Sequence, residues 1–357
     1  MDKIKIDLKA SAESSINQST KGIVMLVLDD SAITEAKEYR GKKKVTDTFS
    51  SGNKKLIDRC FTKYGIKRLK VVCYDSNNSE TISDALKKIN GVKFNYLACP
   101  SATTDDDKKA IKDFIQEEQN NKNYTVKAVI FDYKADYENV VSVRIESINI
   151  DGETITGADF TVDLACLRAT CPVDESLTNR VLSGVSKVVM IDNTEDEDTL
   201  TENGYMFVKY DNDFEAYVLS DDINTKTTID ASKEKDIIRQ NRTIDILDMI
   251  RDTLKITFKV NFQSKIGGSY SGRKLVRDSF NTYFRSLART GVLNPDMENK
   301  CELDVDATRE YLENEGIDTS AMENEDILKY DIGNKIFLKA RVYVLQTIEE
   351  LNLVLEY

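Results

Sequence analysis

Residues 68–99, RLKVVCYDSNNSETISDALKKINGVKFNYLAC, hold a strand, a helix and a strand in 32 positions. Arg68–Tyr74 is a short apolar run closed by a polar turn, which reads as a buried strand. Ser79–Ile89 reads as a helix, and Phe94–Cys99 as a second strand stopped by Pro100. Working outward, the alternation continues on both sides. Gly22–Leu28 is a buried strand, and Asn53–Tyr64 a helix with Leu56, Ile57, Cys60 and Phe61 as its apolar residues. Thr104–Gln119 is a helix with Asp105, Asp106 and Asp107 in its first turn, where carboxylates oppose the helix dipole. Val126–Asp132 is the next strand. Strands spaced by helices predict an α/β body: a mostly parallel sheet covered by helices on both faces.

Such sheets bind ligands at the carboxyl ends of their strands. Asp29, Asp30, Asp75 and Asp132 sit there, so a Mg²⁺ or response-regulator-like acidic site is one reading. Helix caps and turn formers are the other. No G-x-G-x-x-G follows the first strand, which runs into Leu28-Asp29-Asp30-Ser31.

Beyond the alternation, Val140–Ile150 reads as a strand and Asp151-Gly152 as a turn. Leu164–Thr170 is a short helix halted before Pro172. An acidic loop, Asp192 to Asp198, precedes a hairpin of Gly204–Val208 and Glu215–Val218, and Asp221–Thr228 is a polar boundary. Arg242–Gly291 then predicts two helices. Ile244, Leu247, Ile250, Leu254, Phe258 and Phe262 fall at gaps of three and four, one face of a long helix. After Gly267-Gly268 comes a shorter helix that ends at Gly291 and holds Lys265, Arg273, Lys274, Arg277, Arg285 and Arg289 on or before it, opposed only by Asp278.

The intervening Gly267-Gly-Ser-Tyr-Ser-Gly272-Arg273-Lys274 nearly spells a phosphate-binding loop. That loop requires lysine and then Ser/Thr after its last glycine, and it follows a strand. Arg273 and Lys274 occupy those places, after a helix. The stretch therefore reads as helix–turn–helix, with an apolar face that builds a domain and a basic face. Downstream, Asp304, Asp306, Thr308 and Glu315 have EF-hand spacing, but Arg309 replaces the glycine that makes the turn. Asp306 as N-cap of a helix Ala307–Asn314, stopped by Gly316, accounts for the same residues.

The 357 residues predict about two domains. A formal charge of −12 argues against nucleic-acid binding, which needs a basic footprint. There is no histidine, so the usual general base and commonest metal ligand are missing. The six cysteines form no C-x-x-C pair and read as reduced core thiols. No cofactor and no metal is expected. No apolar run approaches the roughly 20 residues of a membrane span, and Met1–Lys9 has no signal-peptide character.

Both ends carry amphipathic strands. Ile4, Ile6 and Leu8 alternate with Lys3, Lys5, Asp7 and Lys9, and the small polar segment Ala10–Thr20 reads as a linker. At the other end Ile336, Leu338, Ala340, Val342 and Val344 alternate, as do Leu351, Leu353, Leu355 and Tyr357 near Glu349, Glu350 and Glu356. The terminal strands either edge the chain's own sheet or complete sheets in neighbouring subunits.

These segments resemble the tail sheath proteins of contractile phage tails and R-type bacteriocins. Asp163–Thr178 resembles the family's short helix and Ser-Leu-Thr segment. Glu202-Asn-Gly204 through Ile223-Asn-Thr225 resembles its glycine-started hairpin and Ile-Asn-Ser/Thr stretch. Arg242–Gly291 resembles its long helix, turn and second helix. The chain departs in lacking a Pro-Gly-Val-Tyr-like start and in its Gly267-Gly-Ser-Tyr turn. The resemblance implies a strand arm and linker at 1–20, an α/β body at 21–223, a C-terminal sheath domain facing a tube at 224–335, and a strand arm at 336–357. It implies a six-fold helical homo-oligomer around a tail tube protein, bounded by baseplate and tail terminator proteins. Assembly would occur in the host bacterial cytoplasm, before incorporation into a tail or bacteriocin particle. Ile4, Ile6, Leu8, Leu351, Leu353 and Leu355 would form inter-subunit arms, and Arg273, Lys274, Arg277, Arg285 and Arg289 a tube-facing basic helix. No enzymatic activity, nucleic acid or membrane is implied. A nucleotide- or metal-dependent α/β enzyme, or a sheath of a related secretion or injection system, are the competing readings.

Overall fold

The computed structural model describes residues 22–230, 236–349 and 353. The strand expected at residues 1–9 and the linker Ala10–Thr20 lie outside them. The described residues form two compact units, divided between Asp245 and Ile246.

The first unit opens with β1 (Ile23–Asp29), β2 (Lys37–Tyr39), α1 (Ser51–Thr62), β3 (Arg68–Tyr74) and α2 (Ile82–Lys88). It continues through β4 (Tyr96–Ala98), α3 (Asp105–Asn120), β5 (Lys127–Phe131) and β6 (Val140–Val143). A hairpin of β7 (Ser147–Ile150) and β8 (Glu153–Thr156) leads into α4 (Gly157–Thr170). β9 (Val185–Val189), α5 (Glu197–Glu202), β10 (Tyr205–Met206), β11 (Val208–Asp211) and β12 (Ala216–Leu219) complete it.

Seven strands make one sheet, in the order β10-β6-β5-β4-β1-β3-β2. All its pairings are parallel except that of the edge strand β2. The period-two alternation of β1 shows why helices cover both faces. Val24, Leu26 and Leu28 pack with Leu56, Ile57 and Cys60 of α1 and Phe160 and Leu164 of α4. Met25 and Val27 join Ile82, Ala85 and Leu86 of α2 and Ile111 and Ile115 of α3. Each such Leu or Ile side chain contributes about 1.5–3 kcal/mol when fully buried. The fold is the mixed α/β one the alternation predicts, with a parallel-rich sheet between helices.

Three details differ from the sequence reading. Val140–Ile150 is two strands in two sheets. Arg144 N–H donates to Met206 O and Glu146 N–H to Val189 O, so the chain changes partners within three residues. β7 then centres a three-stranded sheet, β8-β7-β9. Helix α4 begins at Gly157 rather than Leu164, capped by Thr156, whose hydroxyl accepts from Asp159 N–H at 3.0 Å. It is buried on nearly every side, so it lacks the polar face that marks a helix in sequence. Gly157 itself leaves no room for a side chain: a Cβ there would lie 2.0 Å from Ile145 O. Finally, β10 pairs with β6, and the hairpin is β11 with β12. The Asp151-Gly152 turn is as expected, with both residues at positive φ (52° and 83°).

The division between units falls within α6 (Asn241–Thr257), which runs into a π-helical turn at Phe258–Phe262. The second unit continues with α7 (Tyr270–Arg289), β13 (Lys300–Leu303), α8 (Val305–Asn314), α9 (Asn324–Lys329) and β14 (Leu338–Arg341). The apolar face of α6 is rotated from the expected one. Ile246, Met249, Ile250 and Thr253 are buried, while Leu247 and Leu254 are half-buried. Its first turn, Asn241–Ile244, is buried on every position, which blurs the period. Helix α7 buries Val276, Phe280, Tyr283, Phe284 and Leu287 on one stripe and ends at Gly291, φ 72°. Asp304, not Asp306, caps α8, accepting from Ala307 N–H at 3.0 Å; Asp306 lies in the first turn. The strand expected at 336–344 pairs within the chain: β14 lies antiparallel to β13, and Val344 bridges Leu293.

All six cysteines are buried and unpaired. Burial pushes the Cys73 and Cys99 thiols up to about 12, so they remain protonated core groups. No helix among the described residues is long and apolar enough to cross a membrane.

Candidate functional site

The basic helix is α7, and its solvent stripe follows from helical spacing. Lys274, Asp278, Thr282, Arg285 and Arg289 are separated by four, four, three and four residues, hence on one side. Arg285 and Arg289 are exposed, and Lys274 and Arg277 half-exposed. The Lys274 ammonium lies 4.5 Å over the Tyr270 ring, and Arg277 pairs with Asp278 at 2.7 Å. Arg285 donates to Thr282 Oγ1 at 2.9 Å. Arg273 is turned the other way, 4 % exposed, with its guanidinium donating to Tyr330 O at 2.9 Å. The outward basic stripe is therefore Lys274, Arg285 and Arg289, flanked by Arg277.

Sequence reading missed the apolar residues near the α6–α7 turn. Ile256, Val260, Ile266 and Leu275 are all exposed, Val260 by 56 %. Ile256 and Val260 fall four residues apart, Ile266 lies in the turn and Leu275 on α7, and their exposure is set by tertiary packing that periodicity does not report. Of the residues expected to form arms, Ile4, Ile6, Leu8, Leu351 and Leu355 lie outside the described residues. Leu353 is described and exposed.

The acidic sheet edge is built of caps and ion pairs. Asp29 accepts from Ser76 N–H and Oγ at 3.1 and 2.6 Å. Asp30 accepts from Ala32 and Ser50 N–H and from Asn53 Nδ2. Burial opposes ionisation of Asp30, but these donors outweigh it and hold its carboxyl below the usual range. Asp75 accepts from Asn77 N–H and Asn78 Nδ2. Asp132 pairs with Arg144, which also holds Glu195 at 2.8 Å. Four carboxylates that could have converged on a cation are thus each spent on local structure.

A buried charge cluster lies where α4, β4, β5 and the first turn of α6 converge. Arg168, 3 % exposed, pairs with Asp222 and Asp245. Asp245 also accepts from Tyr96 Oη at 2.8 Å and pairs with Lys127 at 3.0 Å. Asp222 accepts from Asn241 Nδ2 at 3.0 Å and Leu177 N–H at 3.0 Å. Burial disfavours the Asp245 carboxylate, yet Lys127 and Arg168 overcome it and lower its pKa. A second buried pair ties α1 to α4: Arg59 meets Asp163 at 2.6 Å, with Tyr64 donating at 2.7 Å. These groups fix backbone segments against one another.

A structural subunit fits this arrangement: charges spent on scaffolding, exposed apolar and basic stripes, and ends that carry strand-like sequence. Comparison with known proteins makes the class specific. The phage tail sheath protein central domain matches residues 76–225, and the phage tail sheath C-terminal domain matches residues 233–354. Together they take in about three quarters of the chain. The tail sheath protein of Clostridium phage phiCD119 is 26 % identical over 360 residues, covering 98 % of this chain and 97 % of that protein. Among solved structures, a sheath tail protein from Listeria innocua superposes with a TM-score of 0.69 at 14 % identity, covering 95 % of this chain and all of that one. A chain of the anti-feeding prophage baseplate gives a TM-score of 0.66 at 13 % identity, covering 95 % and 94 %. The chain belongs to the phage tail sheath protein family. Its role is structural, as a component of a phage-type tail.

Proposed function

We propose that this chain polymerises head to tail as a six-fold helical sheath around a tail tube and contracts from a high-energy extended state, driving the tube into a target envelope. The observation that carries this is the succession of the two sheath-domain matches, 76–225 and 233–354, with a near full-length sheath relative. The six-fold symmetry is suggested by the likeness to a baseplate chain determined with six-fold averaging. A head-to-tail contact that does not close generates a helical filament, which is what a sheath requires.

In this reading residues 1–20 are an arm and linker, 21–223 the body, 224–335 the tube-facing domain and 336–357 a second arm. Because β14 pairs within the chain, the strand assigned to a neighbour is Leu351–Tyr357. Strand pairing between subunits supplies main-chain hydrogen bonds without fixing the orientation of the bodies, so contraction is rigid-body rotation about paired arms. Energy is stored in the assembly, and no nucleotide is consumed. Subunits assemble in the host cytoplasm with baseplate and terminator proteins at the two ends. The likeness to the anti-feeding prophage baseplate chain favours, as a second reading, a sheath of a related injection system.

Negative-stain electron microscopy of the purified chain tests the proposal. Hollow helical tubes of uniform width are the expected result; a monomer that forms none, with or without tube protein, overturns it. The basic stripe is assigned to electrostatic docking on an acidic tube surface. Arg285→Glu with Arg289→Glu is then expected to lower co-sedimentation with tube about tenfold or more at low salt while sheath self-assembly persists. Unchanged co-sedimentation removes the stripe from the tube interface.

A further inference from the structure

The second unit contains a cavity of about 400 Å³ at the head of α7, which the proposed function leaves unassigned. Phe258, Phe262, Ile266, Val276 and Ile336 give it apolar walls, and Gly267-Gly268 and Gly333 give it backbone walls. The glycines allow the close backbone approach that shapes it. A Cβ on Gly268 would lie 2.0 Å from Gly333 O, and one on Gly272 would lie 2.1 Å from Gly267 O.

Two charged side chains line this space, Arg273 and Lys335, and of the two only Arg273 is buried. Arg273 is 4 % exposed, and only part of its guanidinium is satisfied: Nη2 donates to Tyr330 O, whereas the buried Nε has no acceptor among the described residues. A buried donor without an acceptor costs stability unless something else supplies one. Arg273 sits in the first turn of a 20-residue helix. Ser269 Oγ accepts from Gly272 N–H at 3.2 Å, but the helix itself leaves the N–H groups of Tyr270 and Ser271 without acceptors. The dipole adds partial positive charge at the same end. The neighbouring acid, Asp331, accepts from Gly333 N–H at 2.9 Å, and its charge favours the Arg273 cation without hydrogen-bonding it among the described contacts. Lys335 stands at the wall with its ammonium 4.0 Å from the Tyr311 ring centroid.

We propose that this cavity binds a carboxylate borne on an apolar body, the carboxylate meeting the free Arg273 donor and the head of α7, the hydrocarbon lying against Phe258, Phe262 and Val276. The donor set selects the class. There is one buried cation and no Ser/Thr–lysine pair of the kind that holds a magnesium phosphate, and half the walls are apolar. A single negative charge with a greasy tail matches that better than a phosphate does. The carboxylate belongs either to a free organic acid or to an acidic residue of a neighbouring copy of the chain.

Titration of the full chain with hexanoate, hexanamide and inorganic phosphate, followed calorimetrically, tests this. Hexanoate is expected to bind saturably, and hexanamide about tenfold or more weakly, the difference a charged hydrogen-bond partner makes. Arg273→Gln should abolish the preference for the acid. Ile336→Trp, which fills the cavity while leaving Arg273 in place, should abolish binding of both and keeps the test decisive if Arg273→Gln does not fold. Equal binding of hexanoate and hexanamide, phosphate binding as tight as hexanoate, or no binding at all overturns the proposal. Light scattering separates the sources: hexanoate that binds without altering assembly identifies a free acid. Hexanoate that blocks assembly, as Arg273→Gln would, identifies an acidic residue of the neighbouring copy.

Discussion

Arg168→Met is expected to destabilise the folded monomer by about 3–5 kcal/mol, the usual cost of removing one partner from a buried ion pair. The hydrocarbon volume is largely kept, so loss of packing is a minor part. What is lost is the cation that faces both Asp222 and Asp245, of which Asp222 has almost no access to water. Lys127 still reaches Asp245 at 3.0 Å, and Asn241 still donates to Asp222, so neither carboxylate is bare. Neither remaining donor replaces a guanidinium shared between the two. The pH dependence separates charge from packing. The Asp245 pKa is lowered in the fold, so this group stabilises the wild type above the ordinary carboxylate pKa of about 4. That stabilisation disappears as pH falls through the folded value. The gap between wild type and Arg168→Met should therefore narrow as pH falls below about 4 in urea titrations. A gap that is constant with pH assigns the loss to packing. Asp163 has the opposite sign: burial raises its pKa against the pull of Arg59, so its ionisation costs stability as pH rises.

That cluster was invisible in the sequence, for a physical reason. Arg168 sits in Leu-Ala-Cys-Leu-Arg-Ala-Thr, and its partners are 54 and 77 residues away. Periodicity reports which way a side chain faces, not what meets it there. A charged residue inside an apolar helix was the available signal, as it was for Asp163. The α/β body was legible because strands such as Val126–Asp132 and helices such as Thr104–Gln119 each carry their own period and stop signals. Legibility failed where burial is total, as in α4, or where one extended segment serves two sheets, as at Arg144–Glu146. The helix–turn–helix of Arg242–Gly291 was readable in outline, including its end at Gly291. The inward turn of Arg273 was not, since it depends on Tyr330 arriving from a distant loop. The acidic sheet edge shows the converse: carboxylates at strand ends invite a metal, but the short polar neighbours Ser50, Asn53, Ser76 and Asn78 consume them.

Deleting residues 1–9 is expected to abolish sheath formation while leaving the monomer as stable as the full chain. Residues 1–9 lie outside the described residues, and the contacts described above join residues from Gly22 onward. Stability is preserved if unfolding midpoints coincide. Polymerisation is a different matter. A strand such as Ile4–Leu8, added to a neighbour's sheet, would contribute several main-chain hydrogen bonds at about 0.5–1.5 kcal/mol each, plus burial of three aliphatic side chains. Since every subunit would donate one arm, the loss repeats at each step of a helical lattice. Tubes should then be absent at concentrations where the intact chain forms them. Charge offers a finer version. Lys3, Lys5 and Lys9 at one end face Glu349, Glu350 and Glu356 at the other only if the two arms pair. Reversing either set alone should impair assembly, and reversing both should restore it. Restoration by the double reversal assigns the two ends to one another. Tubes of normal appearance from the deletion would place the subunit contacts in the bodies instead.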